Sequence, residues 1–205
     1  MKEIVDVTVA LAGSPWVYPV VFVLTVLDAF LVVVPSETVV VALGALALST
    51  GSPQLGWLIP VAAVAAMTGD SLTYRLGRTV GLERFRWMRR PRVVRVVDWA
   101  TRSLDQRAAA VLLTARFVPF GRVVVNLTAG ATGFRYRRFL GLTAIAGVCW
   151  ATYNAVVGAL FGAWFDGNPV LAVVVSVAVA LLLGVVVDRV AARLAAVKVP
   201  GGQSR

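Results

Sequence analysis

The sequence predicts an all-α integral membrane protein built as an inverted repeat. Two re-entrant helical hairpins are each followed by a transmembrane helix, with an interfacial amphipathic helix between the halves and a C-terminal transmembrane helix. Three observations predict this. Hydrophobic residues make up 59% of the 205 positions and the mean hydropathy is +0.84, whereas soluble domains are about 45–50% apolar even with glycine counted. Several apolar runs reach the ~20 residues that a bilayer span requires. Two further runs are broken near their centres by proline and charge.

All of 1–205 reads as a single membrane domain. The first broken run is 17–50, interrupted at Pro35-Ser36-Glu37. Proline removes a helix hydrogen bond, and the carbonyls it frees cannot face lipid, so the chain is expected to turn back there. Ser36 suits the N-cap of the returning arm, and Glu37 falls in that arm's first turn, where the helix dipole favours an anion. Residues 57–77 form a first transmembrane helix. Residues 78–107 are a basic loop in which Val93, Val97, Ala100 and Leu104 share one helical face and Arg95, Asp98, Arg102 and Asp105 the opposite one. That pattern predicts a helix lying on an anionic leaflet, or else a solvated linker helix. The second broken run, 108–133, is interrupted at Pro119-Phe120-Gly121 and carries Arg116, Arg122 and Asn126. Residues 139–165 and 169–187 are further transmembrane helices. Trp57, Trp150, Trp164 and Phe165 are expected as interface anchors, and Cys149, the single cysteine, as a small packing residue.

Charge fixes the expected topology. Ten of the twenty lysines and arginines lie between Arg75 and Arg107, three more are Arg135, Arg137 and Arg138, and four are Arg189, Arg193, Lys198 and Arg205. If 108–133 enters and leaves on one side, all three basic stretches share the cytoplasmic face, and the cation-free links at 49–54 and 166–168 lie outside. Each half then holds a broken hairpin, a pair of small residues (Gly44-Ala45, Gly130-Ala131) and a spanning helix. Inverted repeats with broken helices meeting at the midplane are the architecture of secondary transporters.

Composition removes whole classes of chemistry. There is no histidine, which excludes HExxH zinc sites, Ser–His–Asp triads and histidine phosphatases. One cysteine allows neither an internal disulfide nor a cysteine-rich metal site. No Walker A loop or GxGxxG is present. The basic runs alternate with membrane-length apolar runs, so nucleic acid is not an expected partner. Lys2 is a weak n-region with no small-x-small site after it, so no cleaved leader is expected. The protein is expected to be neither an enzyme nor a metal or cofactor binder.

Five ionisable groups lie inside apolar segments: Asp28, Glu37, Asp70, Arg116 and Arg122. A central charge costs at least ~2.5–3.5 kcal/mol on insertion scales, so these must be paired or solvated by a cavity. One reading is a set of ion pairs pinning the hairpins together. The functional reading is a polar cavity between the hairpin tips, with carboxylates from one half and guanidiniums from the other. Arginine's planar fork binds phosphate bidentately and stays charged, helix N-termini after Pro35 and Gly121 add N–H donors, and carboxylates facing the cavity can carry protons. Arg116 and Arg122 are thus the candidate lipid-phosphate site, and Glu37, Asp28 and Asp70 the candidate proton-coupling groups. The expected partners are an anionic membrane lipid and protons.

Three stretches also resemble a known family. Asp28, Pro35-Ser36-Glu37 and Gly44 are similar to the E…PxPSE…G motif of the DedA membrane proteins, part of the SNARE-associated or VTT superfamily. Gly69, Asp70, Tyr74, Gly77, Arg78 and Gly81 resemble that family's G-D-x-x-x-Y-x-x-G-R-x-x-G. Arg116, Phe117, Pro119, Arg122 and Gly130 resemble its R-F-x-P-x-x-R…A-G, with Phe139 and Trp150 following at matching spacings. Asp28 departs from the usual glutamate, a carboxylate one methylene shorter. The resemblance covers roughly 20–165. It implies a multi-pass bacterial inner-membrane protein linked to recycling of undecaprenyl phosphate and related lipids, often dependent on proton-motive force; eukaryotic relatives of the superfamily are lipid scramblases. The expected function is therefore proton-coupled flipping of a polyprenyl phosphate or related anionic lipid, with a passive phospholipid scramblase or a non-transporting scaffold as alternatives. An intramembrane aspartyl protease is disfavoured, because Asp70 follows Ala66-Met67-Thr68-Gly69 without that class's first glycine and both arginines would be left unexplained.

Overall fold

A computed structural model describes residues 12–31, 36–81, 91–116 and 121–164, with isolated positions 175 and 178. The described elements are α-helices: α1 (Val17–Asp28), α2 (Ser36–Thr50), α3 (Leu55–Val80), α4 (Pro91–Ala115), α5 (Gly121–Ala131) and α6 (Tyr136–Trp164). Pro35, Phe117, Pro119 and Phe165, the span expected at 169–187 and the basic tail after it lie outside the described residues.

Both long helices exceed their expected limits. α3 has 26 residues and α6 has 29, or about 39 and 44 Å at roughly 1.5 Å per residue. Each is long and apolar enough to cross a membrane, whose hydrocarbon core is about 30 Å thick. Gly81, at φ +71, ends α3 with its N–H bonded back to the Gly77 carbonyl. By contrast α1 and α2 have only 12 and 15 residues. The expected boundary between the amphipathic helix and the second broken run falls inside α4, where Arg107 leaves helical geometry at φ −146 and ψ 47.

Packing is interleaved. α2 lies mainly along α6, α5 mainly along α3, α3 and α6 contact each other, and α1 packs on α3. The returning arm of each broken segment therefore rests on the long helix that follows the other segment. Small residues allow these close crossings. A Cβ on Gly130 would meet the Tyr74 carbonyl and one on Gly77 the Leu127 carbonyl, where α5 crosses α3. Gly44 and Gly158 play the same part between α2 and α6, against Ala155 and Val41. Gly69 sits against the Ala29 Cβ at the end of α1.

Polarity is inverted relative to a water-soluble bundle. Val20, Val23 and Leu27 on α1, Val64, Leu72 and Leu76 on α3, and Ile145, Val148, Val156 and Leu160 on α6 are exposed, while Asp28, Asp70, Arg116 and Asn126 are buried. Such broad apolar surface suits lipid contact rather than water. The amphipathic stretch of α4 differs from its expected role. Ala100 and Leu104 are buried in a core with Tyr74, Val111, Leu112, Val125 and Phe139, and Arg95, Asp98, Arg102 and Asp105 are exposed. Of its apolar stripe, Ala100 and Leu104 are covered by the helices they pack on. Cys149, expected to be packed, is exposed on α6.

Candidate functional site

The site forms where the two breaks meet α3 and α6. Asp28 is the last residue of α1, and Ser36 the first of α2. The Ser36 hydroxyl donates to Asp28 Oδ2 at 2.7 Å, so it bridges the break instead of capping the returning arm. Arg122, one residue into α5, donates from Nη2 to the same Oδ2 at 3.0 Å and to the Asp28 backbone carbonyl at 2.7 Å. A cation at the carbonyl end of α1 also meets the negative end of its helix dipole.

Asp70 comes from mid-α3, and its two oxygens face different partners. Oδ2 accepts from Arg116 Nη1 at 2.6 Å, and Oδ1 from Asn126 Nδ2 at 2.9 Å. Arg122 Nε stands 3.9 Å from Oδ1, so Asp70 links both guanidiniums. The Arg116 and Asp70 side chains are only 1% and 3% exposed. An ion pair this dry needs its remaining donors satisfied. Yet Arg116 Nε and Nη2 are buried without a hydrogen-bond partner among the described residues. Instead the guanidinium lies over the Trp150 ring, 4.9 Å from its centroid, an attraction worth about 2 kcal/mol when desolvated.

Trp150 in turn directs its Nε1–H to Glu37 Oε1 at 3.4 Å. Glu37 is exposed, and among the described residues no guanidinium pairs with it. All five ionisable residues expected from the sequence thus stand in or beside one network, but in different states. Asp28 and Asp70 are ion-paired, and Glu37 is not.

Three members were not assigned to the site by the sequence reading. Trp150 was expected at an interface; it is 1% exposed and touches both Arg116 and Glu37. Its place midway along the 29-residue α6 was the signal, since interface tryptophans sit near helix ends. Asn126 follows Arg122 by four residues, hence on the same helical face. Asn154, also buried, anchors the same region by donating to the Trp150 carbonyl at 2.9 Å. The remaining motif residues build the frame. Tyr74 is buried and donates to the Phe134 carbonyl, Arg78 Nη1 donates to the Tyr74 hydroxyl at 3.3 Å, and Gly69, Gly77 and Gly130 permit the crossings described above.

Chemically, the described cluster offers two guanidiniums, three carboxylates and a buried indole. It suits binding an anion and exchanging protons.

Comparison with known proteins agrees with the frame. A family model described as the VTT domain matches residues 34–160. Protein DedA of Escherichia coli is 28% identical over 182 residues, covering 83% of this chain and 81% of its own. An uncharacterized membrane protein of Mycobacterium tuberculosis is 29% identical over 134 residues, covering 62% of this chain and 57% of its own. Another, of Mycobacterium bovis, is 29% identical over 157 residues, covering 71% and 70%. No solved structure matches the chain.

Proposed function

The chain belongs to the VTT-domain family, the DedA membrane proteins, and from that premise we propose that it moves an anionic lipid across the bacterial inner membrane, coupled to protons. The substrate class is a polyprenyl phosphate, such as undecaprenyl phosphate, or a related phospholipid. Arg116 and Arg122 take the phosphate, and Glu37 carries the coupled proton while Asp28 and Asp70 hold the arginines. The protein transports without a chemical step, so it is not an enzyme.

The observation that carries this reading is Arg116: a side chain 1% exposed whose buried Nε and Nη2 have no acceptor among the described residues. A buried unmet donor costs about 1–3 kcal/mol, more when charged, and a phosphate oxygen would satisfy both. Charge balance supplies the coupling. With every group ionised, the cluster holds one more carboxylate than guanidinium, so an arriving phosphate needs a proton taken up with it. Glu37, exposed and without a cation, is the carboxylate free to accept one.

The same proposal includes the topology. α1 and α2 are each shorter than the ~20 residues of a span, and each returning arm packs on the opposite half's long helix. Both facts support two re-entrant hairpins related by an inverted repeat. The first opens from outside, the second from the cytoplasm, and the basic stretches 78–107, 135–138 and 188–205 are cytoplasmic.

One observation favours a second reading. The Arg116–Asp70 and Arg122–Asp28 pairs already join the two halves, as a non-transporting scaffold would need. Reconstitution decides between them. Purified protein in liposomes carrying a surface-labelled polyprenyl phosphate should move the label across, faster with a pH gradient. Arg122→Lys should transport poorly, because a point charge lacks the bidentate fork. Movement independent of the gradient would identify a passive scramblase, and no movement would leave the scaffold.

A further inference from the structure

A second basic site lies beyond the central network. Arg75 and Arg78 are three residues apart near the end of α3 and face the turn that joins α5 to α6. A cavity of about 500 Å³ opens there, lined by Tyr74, Arg75, Arg78, Gly133, Arg135 and Tyr136. Three of these six residues are arginines and none is acidic. Along α3 the pocket lies roughly 8–12 Å from Asp70, at about 1.5 Å per residue.

Three guanidiniums around one cavity repel one another, so something must hold them. Aromatic groups do. The Arg75 guanidinium stands 5.9 Å from the Tyr136 ring centroid, that ring packs 5.3 Å from the Tyr74 ring, and the Tyr74 hydroxyl accepts from Arg78 Nη1 at 3.3 Å. Because the Tyr74 hydroxyl proton goes to the Phe134 carbonyl, its oxygen is left to accept from the arginine. Tyr136 also begins α6, which brings the positive end of a long helix dipole to the pocket. The pocket is thus oriented, cationic and without a protein anion among its lining residues.

The geometry points to a phosphate site here, separate from the central pair, filled by a lipid headgroup or by a soluble phosphate. Basic pockets between membrane helices suit such headgroups, and three guanidiniums match the oxygens of one phosphate better than a single carboxylate. The inference does not depend on transport.

The test uses the full chain in detergent, titrated with phosphatidic acid, with phosphatidylcholine and separately with inorganic phosphate, read by native mass spectrometry and calorimetry. Arg75→Gln/Arg135→Gln removes two exposed pocket cations and leaves Arg78 on Tyr74. Arg137→Gln removes a single charge, the same as Arg135→Gln alone, beside the pocket but not in it. The central arginines are intact in every variant, so differences isolate the pocket. Phosphatidic acid should bind the parent more tightly than phosphatidylcholine and weaken about tenfold in the double variant, with under about twofold loss in Arg137→Gln, as exposed ion pairs each contribute modestly. Should the double variant fold poorly, Arg135→Gln alone should lose about threefold. Loss of phosphatidic acid binding without any binding of inorganic phosphate assigns a lipid headgroup. Inorganic phosphate binding that falls in the same variant assigns the phosphate group itself. Unchanged binding in the double variant, equal loss in Arg137→Gln, or no preference over phosphatidylcholine would overturn the site.

Discussion

The two broken segments carry opposite charges beside their breaks. In the first, α1 ends at Asp28 and α2 restarts at Ser36-Glu37; in the second, α4 gives way at Arg116 and α5 restarts at Gly121-Arg122. Both arginines of the second break are held by carboxylates, one pair almost wholly buried. Only one acid of the first break, Asp28, is held in return, and Glu37 is left to an indole N–H. The difference follows from chemistry. A guanidinium cannot lose its charge at any physiological pH, so a buried one must be matched by an anion. A carboxylate can take up a proton, so the acidic break can hold a group without a fixed partner. On the proposed function, the basic break grips the phosphate and the acidic break exchanges the proton.

Breaking the drier pair should have the largest effect. Asp70→Asn leaves Arg116 buried without its anion and should destabilise by about 3–5 kcal/mol, seen as a lowered thermal unfolding midpoint in detergent. Asp70→Leu with Arg116→Met should recover most of that stability while abolishing lipid movement. If the double replacement still transports, the pair is only a pin. Next comes the crossing that brings the second break onto α3. Gly130→Ala drives a Cβ into the Tyr74 backbone carbonyl and should cost about 1–3 kcal/mol through overpacking, measured the same way.

The first break should be more tolerant. Asp28→Asn removes one anion from Arg122, but that guanidinium keeps the Asp28 carbonyl and stays near Asp70. A loss of about 1–2 kcal/mol is expected, with transport slowed rather than lost. Trp150→Phe keeps an aromatic face under Arg116, removes the long N–H bond to Glu37 and leaves a small cavity at a buried site. Stability should fall by about 1–2 kcal/mol, while the gradient dependence of transport shifts.

The sequence announced the breaks and the five charges because each costs free energy in an apolar run. Proline in a helix and a carboxylate in hydrocarbon need a reason, and here the reason lay at one place. Pairing was not legible. Each returning arm packs on the other half's long helix, and no local pattern states which carboxylate that brings to which arginine. Ser36 shows the same limit: its residue type suits a cap, and no local pattern says that its hydroxyl donates to Asp28 across the break. Residues 93–104 show it too, since an amphipathic stripe does not say whether lipid or protein will cover it.

Glu37 carries the account, because among the described residues it is the carboxylate of the cluster left without a cation. Glu37→Gln keeps its shape and removes its proton exchange. The position is exposed, so stability should stay within about 0.5 kcal/mol of the parent. The deciding measurement is the rate of polyprenyl phosphate movement in liposomes with and without a pH gradient, for parent and Glu37→Gln side by side. The account predicts that the parent accelerates with the gradient and that the folded variant does not respond to it. A folded variant with the parent's full gradient dependence would contradict it.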